Sequence, residues 1–181
     1  MAKIGILGVG VLGSALRKYF ESIEKYKIFL YDKKGIGSFE EINRANFIYV
    51  CLQTPYVPGS GCDTSIIEEA IKRIKGIKII IIKSTVIPGT TDKLQKKFSR
   101  HKFLFNPEFL TEATAEQDMV FPDRQIIGYT DKRYTIAKKV INQLPLASYE
   151  AIVPSIIAEL IKYAGNTWFA VKVAMNNELY D

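Results

Sequence analysis

Three glycines near the amino terminus have the spacing of a phosphate-binding turn. Gly8, Gly10 and Gly13 form a G-x-G-x-x-G sequence between a predicted strand and a predicted helix. In this setting the first glycine allows a tight turn, the second lets the backbone approach a pyrophosphate, and the third lets the helix pack close to the strand. Asp32 ends the next predicted strand, where a carboxylate accepts hydrogen bonds from ribose hydroxyls and repels a 2′-phosphate. The pattern predicts a dinucleotide site that favours NAD over NADP.

The residues around this turn leave open the choice between NAD and NADP and whether the turn binds a ligand at all. Lys33 and Lys34 follow Asp32 directly, and their charges weaken the preference for NAD over NADP. A glycine turn that serves only helix packing is the structural alternative, which the strand–turn–helix context disfavours. The further cofactor contacts expected at this turn are Val11, Leu12 and Lys33.

Two later pairs of polar residues could take part in acid–base or charge-stabilising chemistry. Glu108 and Glu112 are four residues apart and would share a face in a helical turn, where one carboxylate could act as a general base. Lys162 and Asn166 have the same spacing in a long predicted helix, and together they could stabilise a developing oxyanion. Each pair also has an ordinary explanation: an acidic helix start, and a surface ion pair between Lys162 and Glu159.

The two cysteines and the single histidine are weak candidates for catalysis. Cys51 lies in a predicted buried strand, where a free cysteine is usually a small core residue. Cys62 precedes Asp63, the predicted cap of a helix whose amino terminus could lower a thiol pKa. His101 lies between a helix end and a strand, where a basic group needs no catalytic explanation. We expect no metal site.

Short β-branched runs alternate with amphipathic segments along the chain. Strands are predicted at residues 3–7, 27–31, 47–52, 77–82, 103–105, 125–129 and 149–153. This alternation indicates an α/β fold with a doubly wound, mainly parallel Rossmann-type sheet, followed by a long C-terminal helix. We therefore expect an NAD-binding domain over residues 1–153 and the start of a second domain at residues 154–181.

Two packing arrangements follow from these elements. Because the connection from Asp32 to residue 47 is short, the third strand should lie beside the first, opposite the second, with no further strand outside the second. In the last helix, the apolar side chains expected to face the sheet are Ile156, Leu160, Tyr163 and Ala164. Those expected to extend beyond the sheet are Trp168, Phe169, Val173 and Met175.

The composition excludes several classes of protein. The 181 residues are 48% hydrophobic, which suits one domain, or one domain and the beginning of another. The sequence has no apolar segment long enough to cross a membrane and no secretory signal, and its two cysteines make no disulfide framework, so cytoplasm is the expected location. The net charge of +6 comes from dispersed Lys and Arg. Solvated helix faces or attraction of anionic small molecules explain it better than nucleic-acid binding.

Six motifs, in order, resemble those of the UDP-glucose/GDP-mannose dehydrogenase family. After the glycine turn come V-C-x-x-T-P at residues 50–55, K-S-T-V-x-P-G-T at 83–90, N-P-E-F-L-x-E at 106–112, P-D-R-x-x-I-G at 122–128 and E-x-x-K-x-x-x-N at 159–166. The N-P-E-F-L segment is the most specific of them. The resemblance implies a nucleotide-sugar 6-dehydrogenase that uses NAD in two hydride transfers to form a uronic acid, and that forms a homodimer through the domain that the last helix begins.

The resemblance also implies roles for individual residues, among them a water held at Thr85 and thioester hydrolysis assisted by Glu108. The expected catalytic residues are Thr85, Glu108, Lys162 and Asn166. The expected cofactor contacts beyond the glycine turn are Thr54, Pro55, Thr85 and Glu112. The expected substrate contacts are Glu108, Phe109, Leu110, Lys162 and Asn166. Ordinary turn chemistry is the alternative explanation for the two threonines.

The sequence departs from the family pattern in two places. The segment between Asp32 and residue 47 is shorter than the family's, and the G-x-G-G-x-C-x-x-K-D segment that carries the family's nucleophile does not occur before Asp181. We therefore expect these residues to bind NAD without oxidising a sugar by themselves. Two alternatives remain: a non-catalytic module that binds NAD or a nucleotide sugar, and a two-electron hydroxy-acid dehydrogenase, against which N-P-E-F-L argues.

Overall fold

The computed structural model describes residues 1–59, 61–131 and 133–180. Its strands are β1 Ala2–Leu7, β2 Tyr26–Asp32, β3 Ile36–Gly37, β4 Phe47–Val50, β5 Tyr56–Val57, β6 Gly61–Cys62, β7 Ile79–Ile82, β8 Lys102–Phe105, β9 Arg124–Tyr129 and β10 Tyr149–Pro154. Its α-helices are α1 Val11–Glu21, α2 Phe39–Ile42, α3 Ser65–Lys72, α4 Thr90–Lys97, α5 Ala115–Val120, α6 Tyr134–Ile141 and α7 Ser155–Tyr180. A 3₁₀ turn, Glu112–Thr114, precedes α5.

Eight strands form one sheet in the order β10-β9-β8-β7-β4-β1-β2-β3, and β5 and β6 form a separate hairpin. All neighbouring pairs in the large sheet are parallel except β2 with β3 and β8 with β9. The predicted doubly wound, mainly parallel sheet with a long C-terminal helix is therefore confirmed.

The edge of the sheet beyond β2 both confirms and corrects the predicted order. Strand β4 pairs with β1 on the side opposite β2, as expected. The prediction that no strand lies outside β2 is wrong, because β3 pairs with it antiparallel. Gly35 and Gly37 have φ of +89° and +61°, a conformation that favours glycine and that turns the chain back onto β2. At Gly37 a side chain would also collide with the Leu30 carbonyl oxygen, 1.9 Å from a Cβ atom.

The core lies on both faces of the sheet, as a parallel sheet requires. In β7, Ile80 and Ile82 pack on one face and Ile81 on the other, and all three are fully buried. Helices α2, α3 and α4 contribute buried side chains to the first face, and α1, α5 and α6 contribute them to the second. The two layers fix the carboxyl ends of the parallel strands along one edge, where doubly wound folds bind ligands.

Helix α7 docks on the sheet through a face that the apolar pattern did not predict. Ile156, Leu160 and Tyr163 are 46%, 50% and 43% exposed, and Ala164 is exposed too, so the expected docking face was wrong. The buried side chains of this helix belong to Ser155, Ala158, Glu159 and Lys162.

The close approach of α7 to β9 explains this choice of residues. A Cβ atom on Gly128 would lie 2.8 Å from the Ser155 Cα and 2.9 Å from the Ala158 Cβ, so only small side chains fit between helix and strand. Beyond the sheet, Trp168 and Phe169 are 61% and 60% exposed, as expected for that part of the helix. Across the described ranges, no helix has the length and apolar character needed to cross a membrane.

Candidate functional site

The glycine turn between β1 and α1 has the geometry that a pyrophosphate site needs. Gly8 has φ of +89°, and a side chain there would meet the Cys51 carbonyl oxygen at 2.5 Å. A Cβ on Gly13 would lie 1.9 Å from the Gly8 carbonyl oxygen, so α1 can start this close to the strand only with glycine. Nothing lies within 4 Å of a Cβ built on Gly10, which leaves open space over the backbone where a phosphate could approach.

Asp32 ties the turn to the end of β2. Its two carboxylate oxygens accept hydrogen bonds from the backbone N–H of Val9, at 2.7 Å, and of Lys34, at 2.9 Å. These bonds hold the pKa of the Asp32 carboxyl below its usual range. The group is therefore a carboxylate at neutral pH, with lone pairs left to accept from ribose hydroxyls.

A cavity of about 360 Å³ opens beside the turn. It is lined by Gly8, Gly10, Tyr31, Asp32, Lys33, Lys34, Phe39, Cys51, Leu52, Gln53, Ile66, Glu69, Ala70 and Arg73. The glycine cradle, the carboxylate and the apolar walls fit the pyrophosphate, ribose and base of a dinucleotide. Of the other predicted contacts, Val11 is exposed and Leu12 half-buried at the start of α1.

The loops after β4 and β7 meet at the same edge of the sheet. The Thr54 hydroxyl donates to the Thr85 carbonyl oxygen at 2.6 Å, so this threonine ties the two loops together. Thr54 and Thr85 are half-buried, while Pro55 is exposed. The structure thus brings the two predicted threonines together, and residues just before Thr54, among them Cys51 and Gln53, line the cavity while the threonines themselves do not.

Two residues predicted for catalysis form an ion pair. The Lys162 Nζ lies 2.7 Å from the Glu108 Oε1, and the second oxygen of Glu108 accepts from the Leu110 N–H at 2.9 Å. Lys162 is only 7% exposed, and its ammonium also lies 5.7 Å from the centre of the Phe109 ring. The Arg124 guanidinium lies over the same ring at 4.5 Å. Helix α7 and the loop after β8 therefore share one charged site.

Two other predicted residues lie outside this pair. Residues 106–111 are not helical, so the expected shared helical face of Glu108 and Glu112 was wrong: Glu112 is exposed at the start of the 3₁₀ turn. Asn166 is exposed one turn after Lys162 on α7.

Lys83 is a buried cation that the sequence reasoning missed. It follows the apolar strand β7 directly, and its Nζ donates to the Asn106 Oδ1 at 2.6 Å. The Asn106 amide in turn donates to the Ile126 carbonyl oxygen at 2.9 Å, which connects the ends of β7 and β8 to β9. Burial lowers the pKa of Lys83 to about 8. A lysine directly after a fully apolar strand was the available signal.

Glu159 is buried rather than exposed at the surface. Its carboxylate accepts hydrogen bonds from the Gly89 N–H at 2.5 Å and from the N–H and hydroxyl of Thr91, at 2.7 and 2.6 Å. These are donors of the first turn of α4, which an anion stabilises. Burial raises the pKa of the Glu159 carboxyl. The suggested surface ion pair between Glu159 and Lys162 is therefore wrong: Glu159 binds the start of α4, and Lys162 pairs with Glu108.

The two cysteines and the single histidine are all at least half-buried. Cys51 is half-buried, and desolvation raises the pKa of its thiol to about 12, which makes it a poor nucleophile. Cys62 is half-buried in the hairpin strand β6. His101 is fully buried, and burial lowers its pKa to about 4, so it is neutral at physiological pH.

The fold and the site together define a dinucleotide-binding domain of the Rossmann type. The model for the NAD-binding domain of the UDP-glucose/GDP-mannose dehydrogenase family matches residues 34–144. The chain therefore belongs to this family, and its cofactor is NAD, as the sequence motifs predicted.

The chain is also similar to individual dehydrogenases, both in sequence and in fold. The chain is 33% identical over 150 residues to a UDP-glucose 6-dehydrogenase of Rickettsia bellii, a match that covers 77% of this chain and 35% of the relative. The fold is similar to a UDP-glucose dehydrogenase of Pyrobaculum islandicum, with TM-score 0.84, 23% identity, and 99% of this chain matched to 52% of that one. It is also similar to a UDP-D-ManNAc dehydrogenase of Pyrococcus horikoshii, with TM-score 0.86, 22% identity, and coverage of 97% and 52%. The chain thus spans about a third of the length of the curated relatives it matches.

Proposed function

We propose that this chain supplies the NAD site and one wall of the sugar site of a nucleotide-sugar 6-dehydrogenase, which oxidises UDP-glucose or a similar nucleotide sugar to the uronic acid. The observation that carries the proposal is the ion pair between the half-buried Glu108 and the buried Lys162, at the edge of the sheet that also carries the glycine turn. An ion pair that is largely removed from water is costly to form, so it is weak evidence for stability and better evidence for a functional site.

On the cofactor side, the glycine turn holds the pyrophosphate and Asp32 holds the adenosine ribose. Lys33, Thr54, Pro55 and Glu112 are proposed as further contacts at the rim, together with the helix start at Val11 and Leu12. A nicotinamide cofactor held by these residues would supply the hydride acceptor for the oxidation. The hydrogen bond from Thr54 to Thr85 keeps the two loops at a fixed separation, which supports the assignment of both threonines to one site.

On the substrate side, the Lys162 ammonium is proposed to stabilise the negative charge that develops on the sugar oxygen, with Asn166 one turn further along α7. Glu108 keeps Lys162 in place and can accept a proton from a water held at Thr85. The backbone of Phe109 and the Leu110 carbonyl group are proposed to contact the sugar, because the Leu110 N–H already donates to the Glu108 carboxylate.

The proposal requires a nucleophilic thiol from outside residues 1–181. The aldehyde stage of a four-electron oxidation is trapped by a thiolate in this chemistry. Cys51, with its pKa raised to about 12, does not meet that need. This property favours one competing function, a non-catalytic module that binds NAD or a nucleotide sugar.

The complete reading frame separates these two functions. We expect it to encode a G-x-G-G-x-C-x-x-K-D segment after Asp181, and its product to form two NADH for each UDP-glucose consumed. Lys162→Met should abolish NADH formation, while Lys139→Met, an exposed change on α6, should leave it unchanged. If the complete protein binds NAD but turns over none of the nucleotide sugars tested, the non-catalytic module is the correct function.

We further propose that residues 1–153 form the NAD-binding domain and residues 154–181 begin a dimerisation domain. Four large apolar side chains on the outer part of α7, those of Trp168, Phe169, Val173 and Met175, are 60% exposed or more. Apolar patches of this kind are usually covered by a partner. Light scattering at high concentration should give the mass of a homodimer, and Trp168→Glu should shift it to that of a monomer. A monomeric mass for the unchanged chain would contradict the proposal.

A further inference from the structure

The cavity beside the glycine turn has a planar cation on its wall that the roles described above do not use. Arg73 follows α3 directly and reaches across the end of β2 to α2. Its guanidinium lies 3.6 Å from the centre of the Phe39 ring and 5.5 Å from that of Tyr31. One nitrogen also lies 3.5 Å from the Tyr31 hydroxyl. Because Phe39 is buried, it holds the guanidinium against a fixed surface.

The position of Arg73 relative to Asp32 indicates which part of a ligand it would meet. Both residues line the same cavity, as do Gly8 and Gly10. When pyrophosphate lies over the glycines and ribose at Asp32, the base attached to that ribose extends into the remainder of the cavity. Two aliphatic side chains of α3, those of Ile66 and Ala70, also line this cavity.

We propose that Arg73 is the stacking platform for the adenine of NAD and thus determines affinity for the adenosine half of the cofactor. A guanidinium already stacked on an aromatic ring offers its second face to a purine, and the purine's other face would meet the aliphatic wall. The inference rests on the proposed cofactor site and adds a residue whose role none of the family motifs in the sequence indicates.

The test compares two arginines that both stack on phenylalanine. Arg44 lies 5.1 Å from the Phe29 ring but does not line the cavity. Calorimetric titration of the 181-residue chain with ADP-ribose should show about tenfold weaker binding for Arg73→Leu, because the planar surface on which the base stacks is lost. Arg73→Lys keeps the positive charge but loses the planar guanidinium, so its affinity for ADP-ribose should fall almost as far. Arg44→Leu should bind like the unchanged chain.

Each outcome has a definite meaning. Unchanged binding by Arg73→Leu would overturn the inference, and so would full retention by Arg73→Lys, which would reduce the contact to a point charge near the phosphates. If Arg73→Leu does not fold, Arg73→Lys alone decides between the planar contact and the charge. Failure of the unchanged chain to bind either NAD or ADP-ribose would overturn the cofactor site itself and this inference with it.

Discussion

Two regions at the same edge of the sheet are built in different ways. Around the glycine turn, backbone approaches backbone: Gly13 lies against Gly8, and Gly8 against Cys51. Around α7 the chain is held by buried charged side chains. Glu159 accepts hydrogen bonds from the start of α4, Lys162 forms an ion pair with Glu108, and Lys83 donates to Asn106. The first region should therefore respond to added volume, and the second to changes of charge and pH.

The largest effect on stability is expected in the glycine turn. Gly13→Ala places a methyl group 1.9 Å from the Gly8 carbonyl oxygen, and a backbone atom cannot move aside as a flexible side chain can. We expect a loss of at least about 3 kcal/mol in the free energy of unfolding, at the upper end for overpacking. Urea unfolding measures it, with Gly165→Ala as the control, since that glycine lies in α7 with open space around it. Equal stability of Gly13→Ala and the unchanged chain would refute the close approach.

The second effect on stability concerns Glu159, which holds α7 against the start of α4. Glu159→Gln keeps the shape but turns one acceptor into a donor that faces the Gly89 or Thr91 N–H. We expect the free energy of unfolding to fall by about 2 kcal/mol, which is the cost of a buried polar group left without its partner. Glu178→Gln, an exposed change on the same helix, should cost almost nothing. Equal stabilities for the two variants would show that α7 docks without the Glu159 contact.

The third effect is a dependence of stability on pH that arises from His101. Its pKa is lowered to about 4 in the fold, against roughly 6.5 in an unfolded chain. As pH falls through that window the unfolded state takes up a proton that the folded state does not, so stability decreases. We expect His101 to account for a loss of about 1.5 kcal/mol between pH 7 and pH 5. The loss should be absent from His101→Gln, and parallel pH profiles for the two proteins would contradict the burial argument.

The smallest effect concerns cofactor choice at Asp32. A carboxylate held ionised by the Val9 and Lys34 N–H groups should repel a 2′-phosphate, so NAD should bind more tightly than NADP. Asp32→Ala should narrow the ratio of the two dissociation constants by about fivefold, about 1 kcal/mol of electrostatic discrimination. Asp63→Ala is a matched control, because Asp63 also accepts a backbone N–H, from Ser65, outside the cavity. Equal affinity of the unchanged chain for both cofactors would remove this role from Asp32.

The same contrast explains what could be predicted from the sequence. The glycine turn depends on residues close together in the chain, so its geometry follows from local spacing. The docking face of α7 depends on Gly128 and on the start of α4, which are distant in sequence, and apolar periodicity therefore indicated the wrong face. Lys83 and Glu159 were missed as buried residues because their partners, Asn106 and Thr91, meet them only in the folded sheet.

Titration of the unchanged chain and of Gly10→Ala with NAD tests the central claim most directly. A Cβ on Gly10 meets no protein atom within 4 Å, so the variant should melt within about 3 °C of the unchanged chain. The same methyl group would occupy the space over the backbone where the pyrophosphate approaches. We predict measurable NAD binding by the unchanged chain and at least about tenfold weaker binding by Gly10→Ala, a difference of roughly 1.4 kcal/mol. Equal affinity of the two proteins for NAD, or no binding by the unchanged chain, would contradict the account.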